Sequence, residues 1–507
     1  MRILLWHGWL LEGSGSNVAT ARTAEVFRAQ GHDVVLLCQE RHPERFGWID
    51  ASGLVTEDGR SDVEPNDAAV ASLGRCVLLR PAIGPLLPVF VLDPYEGFEV
   101  VRRFVDLSDE ELEDYLDRNV RALRAAAARH EPDVAFVGHA VPGAAIGRRA
   151  LGRGRYVAKV HGSDLEYAIR PQERYRRLAR EGLEDARAVV GPTRDTLGRC
   201  AELVPEMRSL GKVVPPGVDV AAFRPMPRTE ALDDVAVRLD RDPAVVRGRP
   251  ASLDAEVEHA LAARDVEALG RHAETYEHEV PDPGAAAKLR SLAHDGRPIV
   301  GYLGKLIPQK GVELLIQALP TLRNDAHGLV VGFGAGREWL VALVAALRRR
   351  DERALAWLAE QGGLAIDPSI ARPARTASLD VTFTGMLDHR YAPSVLAAMD
   401  VQVVPSILDE AFGIVAAEGA AAGALPMLAR HSGLAEVAEA LESEVGHPGL
   451  FSFEPGPGAV GRIAEGIDRL LSLPDDERRS LRSSVNRSAR THWTWERTAA
   501  GLLEASV

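Results

Sequence analysis

The chain has 507 residues, too many for one hydrophobic core, so two domains of a couple of hundred residues each are expected. Apolar content of 46% and charged content of 26% are those of a folded globular protein, and a formal charge of −13 without mixed basic and aromatic runs argues against nucleic-acid binding. Cys38, Cys76 and Cys200 are odd in number and far apart, which argues against a disulfide framework or a zinc knuckle and points to a reducing, cytoplasmic compartment.

The opening stretch MRILLWHGWLLEG has one basic residue and an apolar run broken by His7 and Gly8, so it reads as a first strand and not as a signal peptide. No apolar run nears the ~20 residues that span a bilayer, so no transmembrane segment is expected, while contact with a membrane surface stays open. Short apolar runs then alternate with alanine-rich helical patterns: RILLW, TARTAEVFRAQ, DVVLL, DVAFV, YVAKV and AVVG. This rhythm predicts a doubly wound α/β domain of parallel strands covered by helices on both faces. It restarts at PIVGYLGK (298–305) and continues through GLVVGFG (328–334), DVTFTG (380–385) and DVQVVPS (400–406). The expected division is residues 1–222 for the first Rossmann-like domain and 223–296 for a charged helical connector. Residues 297–480 form the second domain, with a helical excursion at about 340–379, and 481–507 a closing helix. The Pro-Pro-Gly of VVPPGVDVAAFRP (213–225) marks the exit from the first domain.

Ligands of open parallel sheets bind beyond the carboxyl ends of the strands, so chemistry is sought there. In LLEGSGSNVATA (10–21), Gly13, Ser14, Gly15 and Ser16 would let backbone amides approach a phosphate, or would serve only the turn from strand to helix. Val18 breaks the dinucleotide fingerprint, which disfavours a nicotinamide oxidoreductase. In GYLGKLIPQKGVELLIQALP (301–320), Lys305 and Lys310 are two of only five lysines, against fifty-five arginines. A compact ammonium aimed at one phosphate oxygen is a reason to choose lysine, and a solvated loop lysine is the alternative.

HGSD (161–164) follows YVAKV, with Lys159 on the same strand face, and His139 follows the strand before. His161 would bond a substrate hydroxyl or phosphate, or cap the next helix with Ser163 and Asp164. Trp48, Tyr95 and His139 are acceptor-side candidates in the first half, each with ordinary packing as its alternative. In DEAFGIVAAEGAAAGALP (409–426), a helix should begin near Phe412–Gly413, placing Glu418 among alanines. An unpaired buried carboxylate costs several kcal/mol, so Glu418 must be paired with an arginine, exposed, or kept for a ligand such as a sugar diol. Glu410 and Asp409 would serve a ligand or only the helix N-terminus.

The ordered set GSGS (13–16), HGSD (161–164), PPGVDVAAFRP (215–225), GKLIPQKG (304–311), PSILDEAFGIVAAEGAAAGALP (405–426), HSGLAEV (431–437) and THWTWERTA (491–499) resembles the retaining glycosyltransferases of family 4. The resemblance implies the GT-B fold, an α/β architecture with two Rossmann-like domains facing each other across a cleft. It implies that Glu418 holds the ribose hydroxyls of a nucleoside diphosphate sugar and that Glu410 contacts the transferred sugar. Backbone amides of Phe412, Gly413 and Ile414 would face the sugar and diphosphate, with Lys305 and Lys310 neutralising the latter. Lys305 stands where the family more often has arginine. Gly13, Gly15 and Ser16 would close over the phosphates, and His161 would approach the reacting bond. The long connector and the excursion depart from the family's pattern.

The expected reaction is transfer of a hexose to an acceptor hydroxyl with retained configuration, by front-side attack, with His161, Glu410 and Lys310 as the catalytic set. The sugar nucleotide is a co-substrate, and no cofactor or divalent ion is expected, since lysines and amides stabilise the leaving diphosphate. Asp240 and Asp242 form a D-x-D that reads as solvated charge. The acceptor is a small molecule, glycan or lipid-linked sugar. The connector packs as an insertion, docks on a second copy in a homodimer, or covers the acceptor entrance. A sugar phosphorylase or epimerase on the same fold, and a non-catalytic binding protein, are the alternatives.

Overall fold

The computed structural model of the chain describes residues 1–507 apart from 93, 94, 96, 274–278 and 368–378. Residues beside Tyr95 and parts of the connector and of the second excursion therefore lie outside the described residues. The chain forms two compact units, residues 1–217 with 494–507, and residues 218–493.

The first unit carries β1 (Arg2–Trp6), β2 (Asp33–Leu37), β3 (Ala51–Val55), β4 (Ser61–Pro65), β5 (Arg75–Pro81), β6 (Leu86–Val89), β7 (Val100–Arg103), β8 (Val134–Gly138), β9 (Val157–Lys159), β10 (Ala188–Gly191) and β11 (Gly211–Val213). Nine of these form one sheet in the order β11-β10-β9-β8-β1-β2-β5-β3-β4, parallel except for the β3–β4 pair, and β6 pairs with β7 apart. Its central strands are apolar on both faces because helices cover both faces. Leu4, Trp6, Leu37 and Val137 enter one core cluster, while Ile3, Leu5, Leu36 and Phe136 enter another. The helix Gly15–Ala29 is capped by Ser14, whose hydroxyl accepts from the Asn17 amide, and its Ala24 and Phe27 fill the second of these clusters. The last helix, Trp495–Ala505, packs on the same cluster through Ala499 and Leu502.

The second unit carries β12 (Ile299–Leu303), β13 (His327–Val331), β14 (Val381–Phe383), β15 (Val401–Val404), β16 (Leu425–Ala429) and β17 (Ser452–Phe453). They form an all-parallel sheet in the order β14-β13-β12-β15-β16-β17. Both sheets thus reverse their strand order beside the first strand, between β1 and β8 and between β12 and β15, where a doubly wound fold places its ligands.

The contact division falls at Gly217/Val218 and Trp493/Thr494, where the sequence pattern set bounds at 222/223 and 480/481. The physical reason is packing. Connector helices Arg228–Leu239, Leu253–Ala263 and Ala285–Ala293 bury Leu232, Val235, Val257, Leu289 and Leu292 in the same core as the second sheet. Arg228 bonds Asp400, and the buried Arg249 makes two hydrogen bonds of 2.7 and 2.6 Å to Glu338. The expected single closing helix is two, Asp475–His492 and Trp495–Ala505, broken where Thr494 caps the second. Val485, Ala489 and Trp493 pack in the second unit's core. Of the D-x-D, Asp240 is exposed charge paired with Arg290, while Asp242 is not solvated: 5% exposed at its side chain, it accepts from Ala244 N, Tyr391 Oη and Arg390. Among the described residues no helix is long and apolar enough to cross a membrane.

Candidate active site

In the second unit the loops leaving β12 and β15 are pressed together at the reversal point. Gly311 has φ 64°, and a Cβ there would lie 2.2 Å from the Pro405 carbonyl oxygen, so the approach requires glycine. Gln309 O accepts from the amides of Ile407 and Leu408 at 2.9 and 3.0 Å. This contact brings the Lys310 ammonium onto Glu410 Oε1, which also accepts from Ser406 Oγ at 2.7 Å. The Glu410 amide donates to Ser432 Oγ at 3.0 Å, and His431 Nε2 donates to the Ser406 carbonyl at 2.7 Å. Ser432 holds this position at φ 49°, a backbone region that costs a non-glycine residue about 1–3 kcal/mol and collects at working sites.

The turn between Glu410 and the helix Ile414–Ala422 is fixed from both sides. Phe412 is buried edge-on against Trp493, with ring centroids 5.7 Å apart, and a Cβ on Gly413 would meet Leu434 Cδ2 at 2.3 Å. Gly413 takes φ 90° as the helix cap, leaving the first amides of the helix without intrahelical partners, a favourable place for an anion. Glu418 is 12% exposed at its side chain and lies on that helix, with His389 Nε2 at 3.8 Å. Burial lifts its carboxyl from 4.5 to about 7. Lys305 is half-buried, its ammonium 5.9 Å from the Phe333 ring.

In the first unit the ends of β1, β8 and β9 carry His7, His139 and His161. The His139 and His161 rings are 4.3 Å apart, and His139 also meets Trp9 at 4.5 Å and Phe90 at 5.1 Å. Asp164 lies beneath, and its carboxylate accepts from the amides of Ala140 at 2.7 Å, His161 at 3.0 Å and Leu165 at 3.0 Å, tying the two histidine loops together. His7 Nε2 is 2.9 Å from Asn17 Oδ1 in the first helix. Burial lowers His7 to about 4 and holds His139 and His161 well below 6.5, the neighbouring basic groups adding to the shift. All three are neutral near pH 7. Gly13 is exposed in the loop before the first helix, Gly15 is exposed at that helix's first residue, and Ser16 beside it is half-buried.

The sequence matches the family "Glycosyltransferase Family 4" over residues 13–222 and "Glycosyl transferases group 1" over residues 297–472. The chain belongs to the family 4, group 1 glycosyltransferases. It is 26% identical to a GDP-mannose-dependent alpha-(1-6)-phosphatidylinositol monomannoside mannosyltransferase of Mycobacterium tuberculosis over 393 residues, 75% of this chain and 77% of the relative. Its structure resembles sucrose-phosphate synthase of Thermosynechococcus elongatus, with TM-score 0.57, 18% identity, and 99% and 97% of the two chains covered. It also resembles Anabaena HepE, solved with UDP and glucose, with TM-score 0.56, 14% identity, and 99% and 98% covered. The fold is GT-B.

Against this family's site as read from sequence, the structure brings Lys310 and Glu410 together and sets Phe412, Gly413 and Ile414 at one helix start. Among the described residues no arginine pairs with Glu418; the basic group beside it is His389. The acceptor-side trio does not form one patch. Trp48 packs on Phe46 against one face of the first sheet, while Tyr95 packs against the other face, the one on which His139 meets Trp9 and Phe90. His139 is 1% exposed inside that aromatic nest. Sequence reasoning gave no role to Ser406, Ser432, His431 or His389. The only signal for the first three was their place just after strands, in PSILDE and HSGLAEV.

Proposed function

We propose that this glycosyltransferase moves a hexose from a nucleoside diphosphate sugar to an acceptor hydroxyl, with retained anomeric configuration and without a divalent ion. The observation that carries the reading is the constellation at the second sheet's reversal point. There the Lys310–Glu410 pair and an amide-rich helix start share one loop system, and Glu418 lies on the helix so begun.

In this reading Glu418, kept in an apolar helix at an electrostatic cost, accepts from two ribose hydroxyls. Lys305, Lys310 and the amides of Phe412, Gly413 and Ile414 stabilise the charge that grows on the departing diphosphate. Glu410 has one oxygen committed to Lys310 and Ser406, and its second oxygen orients the sugar. In the first unit, Gly13 and the helix-start residues Gly15 and Ser16 are candidates for phosphate contact, and the neutral His161 and His139 for hydroxyls. The relatives support the donor class: one is named for GDP-mannose and another was solved with UDP and glucose.

The test is a thermal-shift panel of UDP-, GDP- and ADP-sugars, followed by NMR of the product's anomeric configuration with and without EDTA. One donor should raise the melting temperature by several degrees and give the retained anomer at an unchanged rate in EDTA. An inverted product, or no shift with any nucleotide sugar, refutes the reading.

A further inference from the structure

Of the five lysines, four have a ready account. Lys305 and Lys310 stand in the donor loops, Lys288 donates to Phe383 O at 3.1 Å beside Asp282, and Lys212 is exposed on the edge strand β11. Lys159 has none. It ends β9 in register with Gly138 of β8 and Val190 of β10. Side chains alternate along a strand, so Lys159 points to the face of Val157, the face covered by the helix Gly15–Ala29. Gly138 has no side chain there, and a Cβ on it would stand 3.2 Å from the Trp6 carbonyl oxygen and 3.4 Å from His7 Nδ1. The row His7, Gly138, Lys159 across three neighbouring strands therefore has no side chain at its centre, and the His7 imidazole closes over that position.

The chemistry around this row is one-sided. Burial holds His7, His139 and His161 below the usual imidazole value, and the positive charge of Lys159 lowers each of them further. Among the described residues no carboxylate or carbonyl pairs with the Lys159 ammonium, and burial alone brings it to about 8. The carboxylate beneath, Asp164, spends its oxygens on three backbone amides. His139 Nδ1 is buried without a partner, although buried polar atoms are normally bonded. A half-buried ammonium beside neutral imidazoles that can donate hydrogen bonds is the complement of an anion.

We propose that Lys159 is the counter-ion for an anionic oxygen group, a phosphate or a carboxylate, carried by the acceptor. The inference rests on the transferase reading above and adds the acceptor's charge class to it.

The test compares wild type, Lys159→Met and Lys159→Arg. One arm uses mannose and glucose against their 6-phosphates in solution. The other uses phosphatidylinositol-containing vesicles against pure phosphatidylcholine vesicles. Binding and transfer are measured for both, and donor affinity is measured separately by titration with the nucleotide sugar.

The expected result is at least a tenfold preference of wild type for the anionic member of one arm. Lys159→Met abolishes that preference, Lys159→Arg partly restores it, and donor affinity changes less than about twofold. Whichever arm shows the preference identifies a soluble or a lipid-borne anion. No preference in wild type, a preference that survives Lys159→Met, or a loss that falls on donor affinity overturns the proposal. Loss of all nucleotide-sugar binding in wild type would instead strike the transferase reading. Should Lys159→Met fail to fold, Lys159→Gln keeps the polar end without the charge and is held to the same outcomes.

Discussion

Replacing Glu418 by glutamine should make the unliganded protein more stable while removing its grip on the donor. The carboxyl moves from 4.5 to about 7 through burial alone, and each unit of displacement is ~1.4 kcal/mol. The ionised side chain therefore costs the folded state roughly 3 kcal/mol at pH 8. Because the folded-state value is raised, the folded protein holds this proton longer than the unfolded chain does. The penalty thus builds as pH rises from about 4.5 and is complete above about 7. Glutamine keeps the shape without the charge but still buries an amide, so a net gain of ~2 kcal/mol at pH 8 is expected, most of it lost at pH 5. Urea unfolding of both proteins at pH 5, 6, 7 and 8, read by a probe in the second unit, measures this directly. A variant less stable than wild type at pH 8, or a gain equal at pH 5 and pH 8, refutes the reasoning. The same variant should lose the melting-temperature rise that the nucleotide sugar gives wild type.

Glu410→Ala frees the Lys310 ammonium and deletes the carboxylate, so turnover should fall at least a hundredfold in a transfer assay while circular dichroism stays unchanged. Gly413→Val forces a β-branched residue to φ 90° and drives its Cβ against Leu434; the second unit should lose about 3 kcal/mol in denaturant titration, and donor binding with it. Arg249→Ala leaves Glu338 buried and unpaired, so a loss of ~3–5 kcal/mol is expected. The double replacement Arg249→Met with Glu338→Leu should recover most of it, and proteolysis within 253–273 reports whether the connector has come loose.

The fold was readable where strands are buried on both faces and so spelled mostly in valine, isoleucine and leucine, as in RILLW, DVVLL and DVQVV. It was not readable at β16, whose LPMLA holds a proline and pairs Pro426 with Gln402 inside the sheet, nor at β3 and β4, where serine, glycine and glutamate sit on a half-solvated margin. The Glu410 and Glu418 signal was legible because a carboxylate among alanines has no cheap local explanation. That Lys310 rests on Glu410, 100 residues away, was not, since only the strand-order reversal brings those two loops together. Trp48 and Tyr95 show the limit from the other side. Aromatic character is visible in sequence, but the sheet face each residue joins depends on pairing with distant strands.

The helix Trp495–Ala505 has a consequence for synthesis. Ala499 and Leu502 belong to the core of the first unit, yet they are translated only after the whole of the second unit. The amino-terminal half must therefore wait, with one side of its sheet incompletely covered, until the whole of the other half has been translated. A gene cut after Gly217 should yield a sticky, chaperone-dependent product, whereas a permuted gene that fuses 494–507 ahead of Met1 through a short linker would let that half close by itself.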